Sequence, residues 1–349
     1  MDLIARLPAL HDWVRAATGA DAVSLTGARR LSGGAIQENW AVDLDSEGGS
    51  LDGRHALVLR GDAPSGVAVS RSRAEEFALL EVAFAAGVTV PEPLLLCVDA
   101  RVVGVPFYLM RRASGTAAAF RMVKDPAVAA KADALAERLG EELARIHAIR
   151  PDDPAMRARL AFLGEPPANA ALARVAEYRA HLDALPTAHP VLEWGLRWLE
   201  RHAPPQVPAT LCHGDFRTGN YMVDDGQLTA LLDWEFASWS DPMEDLGYIC
   251  AKAWRFGATG KRLGGIAPLD PFKRGYARVA PAGLPWGQLD YWEIMGTVRW
   301  GLVAVQQGER HISGGQASLE LALTGRMVAE MEQDLLLQIA RVDAAAGGS

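Results

Sequence analysis

Three side chains in one short stretch could do chemistry together. Within LCHGDFRTGNYMVDDGQLTALLDWE, Asp215 and Asn220 lie five residues apart and Asp233 follows thirteen later. Transfer of a phosphoryl group from a nucleotide needs a carboxylate to take the proton of the attacking hydroxyl. It also needs oxygen ligands for Mg²⁺, which a carboxamide and a second carboxylate provide. Mg²⁺ is a hard cation, and one or two protein groups suffice when substrate phosphates supply the other oxygens. The base must reach the hydroxyl and stay out of the metal shell. The spacing therefore predicts a loop that turns Asp215 and Asn220 toward different partners.

The flanking residues say how such a set could be positioned. Tyr221 to Val223 reads as a short strand, Asp224-Asp225-Gly226 as a tight turn, and Leu228 to Leu232 as the returning strand. Asp-Gly between apolar runs is a strong hairpin signal. A hairpin that leaves at Asn220 and returns at Asp233 would bring the two metal-ligand candidates together.

HGDFRTGN, LLDWE and SDPMEDLGY resemble the central motifs of the aminoglycoside phosphotransferase/choline kinase-like family, the small-molecule relatives of protein kinases. The resemblance implies an α+β, two-lobed protein kinase-like fold. A small antiparallel-sheet N-lobe, residues 1–112, would bind nucleotide. A larger, mainly helical C-lobe, residues 113–349, would carry the catalytic loop and the acceptor site. The implied cofactors are ATP and Mg²⁺, with Asp215 as base and Asn220 and Asp233 as metal ligands. His213 would buttress the loop. Asp241 and Asp245 would anchor the segment C-terminal to the hairpin, Asp245 by a tie back to the loop. Arg217 either steers phosphate or pairs with a neighbouring acid. Glu235 could reach a second metal but reads better as a surface carboxylate.

The N-terminal elements fit the same scheme. Residues 2–18 have helical apolar spacing, and strands are expected at Ala22–Leu31, Asn39–Asp45 and His55–Arg60. Between the first two, Ser32, Gly33 and Gly34 could bring backbone N–H groups to phosphate oxygens. Arg60 stands where a protein kinase has a phosphate-gripping lysine; Glu75 and Glu76 on a helix over Ser70–Phe84 are both available as its partner, and the resemblance, through Glu-Phe-x-x-Leu, implies Glu76. Arginine is a rigid fork and lysine a flexible point charge. After strands at Leu94–Val98 and Val105–Met110, Met110 and Arg111 open the link between lobes, where the resemblance places backbone contacts to adenine. Beyond it, helices are expected at Pro126–Ile149, Val175–Leu185, Pro190–His202, Leu246–Phe256, Pro271–Val279, Leu289–Gln307 and Ser318–Val342, with loop over 150–170. His147, at the end of the first, reads as structural.

Composition narrows the partners. A net charge of −8 over 349 residues argues against nucleic acid, whose binding needs a basic footprint. Three scattered cysteines fit reduced thiols. The first residues lack a leader pattern, and no apolar run reaches the roughly 20 residues of a membrane span; a cytoplasmic protein with no membrane partner is expected. The acceptor is expected to be a hydroxyl on a small molecule. No acidic block suggests a polycationic aminoglycoside. Lys252, Arg255, Lys261, Arg262, Lys273, Arg274 and Arg278 cluster in sequence and suit an anionic acceptor such as a hydroxyacyl-CoA. Trp234, Trp239, Trp254, Trp292 and Trp300 could instead cage a choline- or ethanolamine-type cation. A nucleotide-binding pseudokinase is the alternative class, favoured only by Arg60 and opposed by the intact Asp215/Asn220/Asp233 set.

Overall fold

The computed structural model describes residues 3–31, 37–62 and 71–347; Ser32, Gly33 and Gly34 of the expected phosphate lid lie outside the described residues. The chain divides into two compact units. The first comprises Met1–Gly115 with Ala158–Phe162 and Thr229–Phe236, and the second comprises Thr116–Arg157, Leu163–Leu228 and Ala237–Ser349.

In the first unit, helix α1 (Leu3–Thr18) precedes strands β1 (Ala22–Arg30), β2 (Gln37–Glu47) and β3 (Gly53–Asp62), helix α2 (Arg73–Ala85), and strands β4 (Pro93–Cys97) and β5 (Phe107–Arg111). The strands form one antiparallel sheet in the order β1-β2-β3-β5-β4. Leu10 and Val14 of α1 pack with Val42, Leu57, Leu59, Phe107 and Leu109 of the sheet. β3 lies in the middle and holds Arg60 between Asn39 of β2 and Tyr108 of β5. Helix α2 begins in a capping box: Ser72 accepts from the Glu75 N–H, and the Glu75 carboxylate accepts from the Ser72 N–H. That cap satisfies orphan donors and fixes the register of the first turn, which carries Glu76.

The second unit is mainly helical: α3 (Ala119–Met122), α4 (Pro126–Ala130), α5 (Ala132–His147), α6 (Pro154–Arg159), α7 (Ala170–Asp183) and α8 (Pro190–Arg201). Strands β6 (Thr210–Cys212), β7 (Tyr221–Asp224), β8 (Gln227–Leu231) and β9 (Ser238–Ser240) follow, then α9 (Met243–Cys250), α10 (Leu269–Val279), α11 (Leu289–Ile312), α12 (Leu319–Arg326) and α13 (Val328–Gly347). α6 and β8 straddle the division between units, the last three residues of β8 belonging to the first. Among the described residues, no helix is long and apolar enough to cross a membrane.

The expected hairpin is present as the β7–β8 pair. Asp225 and Gly226 both take positive φ, +46° and +70°, the requirement of a two-residue primed turn. Lys131 Nζ donates to the Asp225 carbonyl and to its Oδ2, each at 2.7 Å. That contact coincides with a departure from expectation, because the single helix over 126–149 is two helices parted at Lys131 (φ −113°, ψ 17°). Two other long helices are also interrupted. α9 ends at Cys250 because Ala251 is extended (φ −56°, ψ 140°), and a 3₁₀ turn over Lys252–Arg255 follows. The last helical stretch is broken at Met327 into α12 and α13. The expected loop over 150–170 holds the short α6 and a 3₁₀ turn at Ala161–Leu163.

Glycines set two crossings that position the site. A Cβ on Gly275 of α10 or Gly140 of α5 would overlap backbone of the other helix, and one on Gly247 of α9 would overlap the Trp292 backbone of α11. Backbones that close leave no room for a side chain, so these crossings fix the placement of His147, Asp245 and Arg299.

Candidate active site

The loop after β6 is held from several sides within the second unit. Asp245, on α9 and fully buried, accepts the His213 N–H at Oδ2 (2.7 Å) and the Gly214 N–H at Oδ1 (2.8 Å). His147, at the end of α5, contacts Asp245 Oδ2 through Nε2 at 3.3 Å and Tyr276 of α10 through Nδ1 at 3.1 Å. Burial by itself would push the Asp245 carboxyl up, but the His147 hydrogen bond, the charges of His147 and His213 and the His213 backbone N–H hold it below its ordinary value. The expected tie back to the loop and the structural reading of His147 both describe this arrangement. His213 itself accepts the Asp215 N–H at Nδ1, 3.2 Å away.

Asp215 is buried, and its oxygens are shared between two groups. Arg217 Nε lies 3.3 Å from Oδ1, and Asn220 Nδ2 donates to Oδ2 and, at 2.9 Å, to the Asp215 carbonyl. Of the two readings of Arg217, the structure displays the pairing with an acid, and its guanidinium also lies over the Trp254 ring at 4.4 Å. The expectation that Asp215 and Asn220 face different partners is corrected: they touch, because the tight loop folds Asn220 back across Asp215. Asn220 does this with its amide nitrogen, so its Oδ1 takes no part in either bond. Thr218 secures the bend by donating to the Gly264 carbonyl at 2.8 Å.

Arg299 is not visible as a site residue in the sequence, since it lies far down the chain on α11 with no motif around it. Its Nη1 donates to the Gly214 carbonyl and its guanidinium covers the Tyr248 ring at 4.3 Å. Burial works against its charge, yet Tyr248, Tyr178, Asp215 and Glu244 raise its pKa above the ordinary arginine value.

The first unit contributes a second constellation. Arg60 meets Glu76 two-pronged, Nη2 to Oε1 at 2.9 Å and Nε to Oε2 at 3.2 Å, and the same Nη2 lies 3.0 Å from Asp233 Oδ1. Burial disfavours the Arg60 charge, but Glu76, Tyr108, Asp233 and Glu235 keep its pKa well above the usual value. Arg73, another buried residue with no motif to mark it, pairs with Glu76 and, through Nε at 2.9 Å, with Asp62. Its only advance signal is the i, i+3 spacing to Glu76. Asp233 adopts φ +61°, a left-handed conformation that Asp tolerates better than most residues. Glu235 is 8 % exposed, which corrects its reading as a surface carboxylate; the turn over Trp234–Phe236 folds it inward, within electrostatic reach of Arg60. Met110 is buried in β5, while the Arg111 N–H donates to the Glu92 carbonyl at 2.9 Å and its side chain pairs with Glu92. That N–H is committed to the sheet and is no donor for a base.

Oxygen donors of the kind Mg²⁺ takes are present in both constellations. The Asn220 carbonyl oxygen is outside that residue's own hydrogen bonds, and the Asp233 side chain is 32 % exposed. A carboxamide and a carboxylate are each ligand types that a hard cation takes alongside phosphate oxygens. His147, Cys212 and Asp245 also bring ligand-type atoms within 4.8 Å of one another. There Asp245 is engaged by backbone N–H groups, and burial pushes the Cys212 thiol well up, so this group is a brace for the loop.

The reading of the basic cluster is revised. Six of the seven residues of the basic cluster, all but Lys261, are paired with acids: Lys252 with Asp334, Arg255 and Arg262 with Glu293, Lys273 with Asp270, and Arg274 and Arg278 with Glu137. Its spacing in sequence therefore gives no argument for an anionic acceptor. Asp241 is buried and accepts the Met243 N–H at 2.8 Å, so it starts α9 as an anchor. Burial pushes its carboxyl up to about 6, against the Met243 hydrogen bond and with help from Glu244. A carboxyl raised in the folded state gives stability that is complete below its unfolded value near 4 and is lost as pH rises through about 6. Asp241→Asn keeps the acceptor without the charge. Urea unfolding should show it gaining on the natural chain by up to about 3 kcal/mol at pH 8, with the gain gone at pH 4.

The chain is 28% identical over 294 residues to acyl-CoA dehydrogenase family member 10 of Mus musculus, a match covering 79% of this chain and 26% of that protein. It is 30% identical over 204 residues to acyl-CoA dehydrogenase family member 11 of Gallus gallus, covering 56% and 25%. The chain thus spans about a quarter of the length of these relatives. Among solved structures, a Ralstonia eutropha protein of the aminoglycoside phosphotransferase type superposes with a TM-score of 0.74 at 20% identity over 96% of this chain and 98% of the other. A choline/ethanolamine kinase family protein of Mesorhizobium loti gives 0.54 at 16% identity, covering 90% and 88%. These likenesses establish the kinase-like α+β fold. The profile of the phosphotransferase enzyme family matches residues 27–286, and the chain belongs to that family.

Proposed function

We propose that the chain transfers the γ-phosphoryl group of Mg·ATP to a hydroxyl of a small molecule. The observation that carries this reading is the braced loop, in which Asp245, His213 and Arg299 fix the backbone that leads into Asp215. On this reading the first unit is the nucleotide-binding lobe and the second carries the catalytic loop and the acceptor site. Asp215 takes the proton of the acceptor hydroxyl as the oxygen attacks. Arg60, steadied by Glu76, grips the nucleotide phosphates, and Arg217 moves from Asp215 toward the transferred group. Asn220 and Asp233 hold the metal ion, which when bound screens the charge of the phosphates. The two-pronged Arg60–Glu76 contact supports reading this pair in the place of the lysine–glutamate pair of protein kinases, against the pseudokinase alternative.

For the acceptor we favour a hydroxyacyl-CoA, on the strength of relatives named as acyl-CoA dehydrogenase family members. Incubating the chain with labelled ATP and a panel of hydroxyacyl-CoAs, aminoglycosides and amino alcohols tests this. Label should move to a hydroxyacyl-CoA. Transfer only to an aminoglycoside or to choline or ethanolamine would replace the acceptor, and failure with all acceptors despite nucleotide binding would return the pseudokinase reading.

A further inference from the structure

Arg60 engages Glu76 and Asp233 at the same time. The Arg60 and Glu76 side chains are almost fully buried, at 6 % and 2 % exposed, whereas Asp233 is 32 % exposed. Asp233 is therefore the member of the trio that meets solvent, where an ion would arrive. Its left-handed backbone, φ +61°, restricts how far the carboxylate can turn away.

We propose that Arg60 closes Asp233 to a bare divalent ion and opens it to one that comes with nucleotide phosphates. A guanidinium nitrogen 3.0 Å from Asp233 neutralises the carboxylate that an ion would seek and repels the ion itself. Phosphate oxygens reverse both effects. They offer the guanidinium a two-pronged anionic partner in place of Asp233, and they supply the oxygens that a hard cation lacks. The one Nη2 meets both Glu76 and Asp233, while Nε holds the second Glu76 oxygen. The planar fork can therefore give up Asp233 to a phosphate and stay anchored on Glu76 through Nε. Arg60 is then what couples the two ligands, each raising the affinity of the other by the same factor.

This interlock rests on the phosphotransferase reading, and the test separates the two. Mn²⁺ is titrated by electron paramagnetic resonance into the chain and into Arg60→Met, with and without AMP-PNP, and folding is followed by thermal melting. Glu76 keeps Arg73 as a partner in the variant. Expected in Arg60→Met is Mn²⁺ binding without nucleotide about tenfold tighter than in the natural chain, and AMP-PNP binding about tenfold weaker. The gain in Mn²⁺ affinity should vanish when Asp233→Asn is added. A folded Arg60→Met that binds Mn²⁺ no better than the natural chain overturns the interlock. If Arg60→Met does not fold, Arg60→Lys decides the matter: tighter Mn²⁺ binding than in the natural chain supports the interlock and equal or weaker binding overturns it. A natural chain that binds no AMP-PNP would sink the phosphotransferase reading, and the interlock with it.

Discussion

Asp215→Ala should abolish phosphoryl transfer to every acceptor and leave binding of Mg·nucleotide nearly unchanged. The expected fall in kcat is about a thousandfold, within the range for loss of a general base. Arg217 and Asn220 lose a partner in the variant, but Asn220 Nδ2 keeps the Asp215 carbonyl, and the backbone hydrogen bonds to Asp245 and His213 do not involve the Asp215 side chain. The loop should therefore stay in place. Calorimetry with AMP-PNP should give an affinity within about threefold of the natural chain, because the base acts on the hydroxyl and not on the nucleotide. A variant that loses nucleotide binding, or that retains transfer, contradicts the role given to Asp215.

Asp245→Asn should cost about 3 kcal/mol of stability or more, as expected when a buried, hydrogen-bonded charge loses its match. The carboxylate accepts two N–H groups, from His213 and Gly214, on different oxygens. An asparagine has one accepting oxygen, so one buried N–H faces an amide NH₂ instead. The pH dependence gives a second readout. The folded-state pKa of Asp245 is lowered, despite its burial, mainly by the hydrogen bond and charge of His147. A carboxyl lowered in this way gives stability that is present above its unfolded value near 4 and is lost as pH falls through the lower folded value. Urea unfolding between pH 7 and pH 3 should show the natural chain losing stability at the acid end more steeply than Asp245→Asn. Equal slopes, or a variant as stable as the natural chain at pH 7, would mean that Asp245 does not brace the loop. Asp241 carries the opposite sign, so the two aspartates flanking the start of α9 are distinguishable by pH alone.

Much of this site is legible locally. Asp215, Asn220 and Asp233 stand in one stretch whose spacing is dictated by the chemistry, and the Asp-Gly turn announces the hairpin through the backbone freedom it needs. Glu76 is legible only through the family's Glu-Phe-x-x-Leu pattern, since Glu75 stands beside it, and Arg60 because it ends an apolar strand. Helix interruptions at Lys131, Ala251 and Met327 are not, since nothing in the apolar periodicity marks them. The strand pair Thr210–Cys212 with Ser238–Ser240 is hidden because each strand is three residues long, below what alternation can resolve.

The sequence by itself determined the family, the kinase-like α+β fold and the residue types available for phosphoryl transfer, because each of these is written in short-range order along the chain. Tertiary structure alone decided which charges meet. It brought Arg299 to Gly214 and Arg73 to Asp62. It also turned Glu235 inward and paired most of the basic residues between Lys252 and Arg278 with acids, some as remote as Glu137 and Asp334. Charge pairing depends on distance through space and on burial, and a linear pattern specifies neither.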